Sequence, residues 1–253
     1  MAKIPVGLQL YTLREEMKED FVGVLGKVAE MGYQAVEFAG YGGIGAKEMK
    51  KHLDGLGLKA LSSHVGLPLL RNELNEQIEY CLEIGAKYLV CPSSPKDKIT
   101  DPAFLDQLMA EFRTFGEACR KQGLVFAFHN HAHEFQQIDG QPILDRMYAS
   151  VDSSLLQAEL DLYWVKKGGA DPRDYMLKYK GRCPLVHVKD MANDADGSFA
   201  EVGHGIIDFS GIFAVAEEVG VQGYIVEQDR CYNHPPLTSV KMSIDYLKSI
   251  GLV

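Results

Sequence analysis

A helical pattern, a glycine and a short run of apolar, β-favouring residues follow one another repeatedly along the chain. The unit stands out as AEMGYQAVEFA around Gly32, DGLGLKALSSH around Gly57, LEIGAKYLVCP around Gly85, RKQGLVFAFHNH around Gly123 and EEVGVQGYIVEQD around Gly220. Glycine there ends a helix, because it enters the left-handed conformation of the C′ position at little steric cost. The run that follows is apolar at successive positions rather than at alternate ones, as in a strand buried on both faces. Eight runs qualify: 5–11, 34–39, 59–64, 87–92, 124–131, 157–162, 184–190 and 222–228. Helical patterns lie between them, over 18–31, 46–55, 68–84, 101–122, 140–150, 209–219 and 236–250. Alternation of this kind implies a parallel sheet with right-handed crossovers. Eight units in 253 residues predict a closed (β/α)8 barrel of the α/β class, one domain spanning 1–253. An open, dinucleotide-binding sheet would carry GxGxxG after its first strand. The chain reads QLYTLREEM there, and GYGGIG at 40–45 follows the second strand as a loop.

Charge and cysteine usage narrow the functions open to such a barrel. A net charge of -9 argues against a nucleic-acid partner, since phosphate contacts need a basic face. Cys81, Cys91, Cys119, Cys183 and Cys231 are odd in number, scattered and without CxxC spacing, so neither a disulfide framework nor a thiolate metal site is expected. The opening MAKIPVGLQLYTLR has no signal core, and no 18-residue apolar run occurs, so no membrane partner is expected and a cytoplasmic location is.

In a barrel, chemistry gathers where the strands' C-terminal ends converge. Those ends carry Gln9, Tyr11, Glu37, His64, His129, Asn130, His131, Glu134, Asp161, His187, Lys189, Asp190, Glu227, Gln228 and Asp229. Asp161, His187 and Glu227 close three successive strands and combine hard oxygen donors with one imidazole. That mixture suits one divalent ion, Mn, Mg, Fe, Co or Zn, with positions left for substrate. A fourth ligand is expected from FAFHNHAHEF, where His129, His131, His133 and Glu134 are candidates. Glu134 is favoured, as a further carboxylate placed across the metal from Glu227. Gly203 and Gly205 in EVGHGIID allow a loop to pass near the mouth, and Asp208 is placed to cap the next helix.

GLQLYTLR, FHNHAHEF, ELDLYW, HVKDM followed by EVGHGIIDF, and VEQD together resemble the xylose-isomerase-like TIM-barrel superfamily over essentially the whole chain. That superfamily groups sugar isomerases and epimerases, inosose dehydratases and an apurinic-site endonuclease branch. Members similar to ketose 3-epimerases bind one metal through Glu, Asp, His and Glu from four consecutive strands. Asp161, His187 and Glu227 match the last three; His129 fills the slot of the first, with Glu134 in the loop beyond. Trp164 stands where those epimerases carry a histidine. Both departures look more like the branch near inosose dehydratases and enzymes of 3-keto sugars. The resemblance implies a sugar or keto-sugar substrate and proton abstraction beside a carbonyl, giving isomerisation or epimerisation. The alternative is a lyase on a keto-inositol or 3-keto-glycoside. In either case Glu227 and Glu134 are expected as ligands and acid/base groups, His131 and His129 as alternative bases, and Lys189 as oxyanion stabiliser. Tyr11, Glu37, His64 and Trp164, with His129, are expected to contact substrate. Assembly into a homo-oligomer is left open.

Overall fold

Residues 4–253 are described by a computed structural model. Eight parallel strands close into a barrel: β1 (Val6–Gln9), β2 (Ala35–Phe38), β3 (Lys59–His64), β4 (Tyr88–Cys91), β5 (Val125–His129), β6 (Gln157–Asp161), β7 (Leu185–Val188) and β8 (Gly223–Val226). Each pairs with its neighbours in chain order, and β8 returns to β1. The predicted barrel is therefore the observed fold. Gly32, Gly57, Gly85, Gly123 and Gly220 all have positive φ, as helix stops should.

The helices differ from expectation in instructive places. The stretch 18–31 forms two helices, Arg14–Glu19 and Phe21–Glu30, because the Asp20 side chain accepts from Gly23 N and starts a new one. The stretch 68–84 is likewise broken at Glu73 into Leu67–Asn72 and Leu74–Ile84. Two helices fall where none is expected, Leu162–Lys167 and Pro172–Lys178, capped by Asp161 and Asp171. At six and seven residues they are too short to display a helical period. The run 184–190 pairs within the barrel only through Val188; Asp190–Met191 turns away to form an antiparallel ribbon with Phe199–Ala200.

The barrel interior explains how the site is built. Side chains two apart on a strand face the same way. A small apolar plug of Ala35, Leu61, Tyr88, Val90, Ala127, Leu185 and Ile225 fills its lower part. Two residues further along, Ala35 gives way to Glu37, Ala127 to His129, Leu185 to His187 and Ile225 to Glu227. Each inward stripe thus changes from apolar to ionisable at one height, and β6 contributes Glu159 and Asp161 in the same way. Register pairs His129 with Glu159 and Asp161 with His187.

Outside the barrel, the long helix Pro102–Lys121 presses on the loop before β6 at Gly116, where an added Cβ would lie 2.1 Å from the Leu155 carbonyl oxygen. Gly116→Ala is expected to destabilise the fold by about 1–3 kcal/mol through overpacking. Urea denaturation checks this, and an unchanged midpoint would contradict it. All five cysteines are free. No helix among the described residues is long and apolar enough to cross a membrane.

Candidate metal centre

Asp161 ends β6 and begins the helix that follows. Its Oδ1 accepts from Trp164 N at 2.8 Å as the N-cap. Asn130 clamps the same residue, its Oδ1 accepting from Asp161 N at 3.0 Å. With one oxygen and the backbone held, Asp161 Oδ2 is left facing the barrel axis. It lies 2.9 Å from Lys189 Nζ, 3.7 Å from His129 Nε2 and 4.0 Å from His187 Nδ1, yet makes no hydrogen bond of acceptable angle. His187 Nδ1 in turn meets Glu227 Oε2 at 2.9 Å.

His129, Asp161, His187 and Glu227 therefore converge, with one donor atom from each lying within 4.8 Å of the others, and all four are buried. Two carboxylates and two imidazoles, with a carboxylate oxygen lacking a hydrogen bond, are a donor set that fits a divalent ion. Three of the four expected ligands belong to the set. Glu134, the fourth expected, does not: its Oε1 accepts from Ser94 Oγ at 2.5 Å and its Oε2 from His131 N at 2.8 Å. Its carboxylate closes a capping box on the turn Ala132–Phe135, a local use that draws it away from the axis. His129 is the fourth member of the converging set.

A second group lies one layer deeper, formed by His64, His129, Glu159 and His187. Glu37 joins it, accepting from His187 Nε2 at 2.7 Å and from Gln9 Nε2 at 2.7 Å. Glu159 is the principal residue that reasoning from sequence missed. Its signal is its place two residues before Asp161, on the same inward stripe.

Charge in this core is tightly balanced. Burial opposes protonation of His187, but Glu159 and Glu37 hold its pKa well above the usual imidazole range. Burial likewise disfavours the Lys189 ammonium, which Asp161, Glu227 and Asp229 nevertheless keep charged. Burial pushes the Asp161 carboxyl up to about 6, against the pull of Lys189. His129 and His131 are shifted the other way by burial, His131 to about 4, so both rings are neutral at pH 7.

A cavity of about 600 Å3 opens above the set, lined by Tyr11, Arg14, His64, His131, Glu227 and Arg230 among others. Tyr11 is exposed at its edge beneath the Arg14 guanidinium. Trp164 stands behind the cavity, its ring 5.2 Å from that of His131 and 5.7 Å from Lys189 Nζ. His133 is bound to Ser94 and Glu134. Asp208 caps the helix Phe209–Val219 as expected, and Gly203 N and Gly205 N both donate to the Asp190 carboxylate.

A family model described as xylose isomerase-like TIM barrel matches residues 25–250. An inosose dehydratase of Geobacillus kaustophilus (strain HTA426) is 26% identical over 88% of this chain and 85% of its own length. A crystal structure of a sugar phosphate isomerase/epimerase from Parabacteroides distasonis ATCC 8503 superposes with a TM-score of 0.86, at 27% identity and with both chains covered completely. The IOLI protein, crystallised with a zinc atom, has a TM-score of 0.71 at 15% identity, covering 97% of each chain; at that identity it speaks for the fold.

Proposed function

Because this chain belongs to the xylose isomerase-like TIM-barrel family, we propose that it is a divalent-metal-dependent enzyme that isomerises or epimerises a ketose or keto-sugar. The convergence of His129, Asp161, His187 and Glu227 under an open cavity carries this reading. A divalent ion held by these residues would supply Lewis acidity to a substrate carbonyl, making its α-proton easier to remove. Glu227 lines the cavity and is the carboxylate that takes that proton. Lys189 brings a buried ammonium against Asp161 and Glu227, where it stabilises oxyanion charge as it develops. His131, neutral and lining the cavity, offers a hydrogen bond to a substrate hydroxyl. Glu134, occupied by Ser94 and the His131 backbone, supports the His131 turn instead of acting on substrate.

The second reading is a lyase on a keto-inositol or 3-keto-glycoside, favoured by the inosose dehydratase relatives. Both reactions begin with the same proton abstraction and part only when a β-substituent leaves. Metal analysis of the purified protein, with mass spectrometry of mixtures containing ketoses, inososes or 3-keto-glycosides, separates them. An isomer of unchanged mass is expected; loss of water or aglycone would establish the lyase. A protein that binds no divalent ion and turns over none of these compounds would overturn both.

A further inference from the structure

The two donor groups in the barrel share His129 and His187, and each ring faces both. His187 presents Nδ1 to Glu227 and Asp161, and Nε2 to Glu37 at 2.7 Å and Glu159 at 3.3 Å. His129 presents Nε2 to Asp161 at 3.7 Å and Nδ1 to Glu159 at 3.3 Å, the latter a close approach without hydrogen-bond geometry. A neutral imidazole has one lone pair and one N–H, so a ring that ligates through one nitrogen carries its proton on the other. Both groups filled at once would need two imidazolate bridges.

Spacing distinguishes the layers. Ligands around a tetrahedral ion with bonds of about 2.0–2.1 Å stand about 3.3 Å apart. While His129 Nδ1 and His187 Nε2 each stand 3.3 Å from Glu159 Oε2, the closest pairs of the deeper layer are tighter than that, His64 Nε2 2.6 Å from Glu159 Oε2 and His187 Nε2 2.7 Å from Glu37 Oε2. Those are hydrogen bonds. The upper group has one hydrogen-bonded pair, His187 Nδ1 and Glu227 Oε2 at 2.9 Å, and is otherwise more open, at 3.7 and 4.0 Å.

We infer that Glu37 and Glu159 are positioning residues for one ion held above them: Glu37 retains the proton on His187 Nε2 and Glu159 that on His129 Nδ1, which turns the lone pairs of His187 Nδ1 and His129 Nε2 toward Asp161 and Glu227. His64 bridges the two carboxylates, 3.1 Å from Glu37 and 2.6 Å from Glu159, and Gln9 Nε2 donates to the same Glu37 oxygen, Oε2. Glu37, which is buried and does not line the cavity, thereby acts beneath the ion, which changes the substrate-contact role that sequence suggests for it; His64 also reaches the cavity wall. Carboxylates behind metal-bound histidines raise the basicity of the ligand and fix its tautomer.

The inference rests on the upper group being the ion's site, and the test separates the two ideas. Co2+ titration of the wild type, followed by its visible absorption, is expected to end at one equivalent. In Zn2+-loaded protein, nitrogen-15 spectra should place the proton of His187 on Nε2 and that of His129 on Nδ1. Glu37→Gln and Glu159→Gln are each expected to weaken Co2+ binding about 10–100-fold and to shift the absorption bands. Two equivalents bound, the opposite tautomers, or variants with wild-type affinity and spectrum would each overturn the positioning role. Absence of Co2+ binding by the wild type would instead remove the upper site on which the role depends. The wild-type tautomers decide the matter even where a variant does not fold.

Discussion

Asp161→Asn is expected to abolish stoichiometric binding of a divalent ion and to lower kcat/KM by at least about 1000-fold, equivalent to roughly 4 kcal/mol of transition-state stabilisation. The substitution separates two tasks of one side chain. Asn caps helices about as well as Asp, so Oδ1 can still accept from Trp164 N and the helix Leu162–Lys167 keeps its start. The atom that changes is Oδ2, which becomes an amide nitrogen with no lone pair to give an ion. Burial already pushes the Asp161 carboxyl up to about 6, so holding its charge at neutral pH opposes folding, and an uncharged isostere removes that penalty together with the Lys189 ion pair. The protein should therefore fold while losing its metal. Isothermal titration with Mn2+ and steady-state rates on a turned-over sugar check this; a variant with wild-type ion affinity would place the ligands elsewhere.

The barrel was legible in the sequence because its signals are local. A glycine stop and a doubly buried strand each occupy a few neighbouring residues, and the five recognised repeats suffice to set the period. Asp161, His187 and Glu227 were legible for the same reason, each closing a strand run, and the structure brings their donors together. Which of Glu134 and His129 stands beside them was not, since that depends on where the chain leaves β5. The strand ends at His129, and the turn Ala132–Phe135 uses Glu134 as its own cap. A chain written as one extended run to 131 conceals that bend. Glu159 was hidden differently. Inside a barrel a buried carboxylate is tolerable only beside partners from other strands, here His64 from β3 and His187 from β7, and such company is invisible along the chain. Trp164, expected against substrate, packs behind the cavity because the short helix begun by Asp161 carries it there.

Lys189→Met should expose the electrostatic logic of the centre through stability. The ammonium is buried and ion-paired with Asp161 at 2.9 Å, Glu227 at 2.7 Å and Asp229 at 2.7 Å. Met fills a similar volume without charge, leaving three carboxylates to share what His187 supplies. Removing one partner of a buried ion pair costs about 3–5 kcal/mol, since the remaining charge stays desolvated and uncompensated. Unfolding by urea in the presence of a chelator should register a loss of that size. A divalent ion among Asp161, Glu227 and the two imidazoles would restore the missing positive charge and should bind the variant's folded state at least as favourably as it binds the wild type's. Repeating the unfolding with Mn2+ in excess is therefore expected to recover much of the difference. Turnover should stay about 100-fold or more below wild type even when the ion is bound, because the developing oxyanion has lost its ammonium. Recovery of stability without recovery of rate is the signature of a lysine that serves both the resting charge balance and the reaction. An equal stability loss with and without Mn2+ would mean that the ion does not sit among the carboxylates Lys189 holds together.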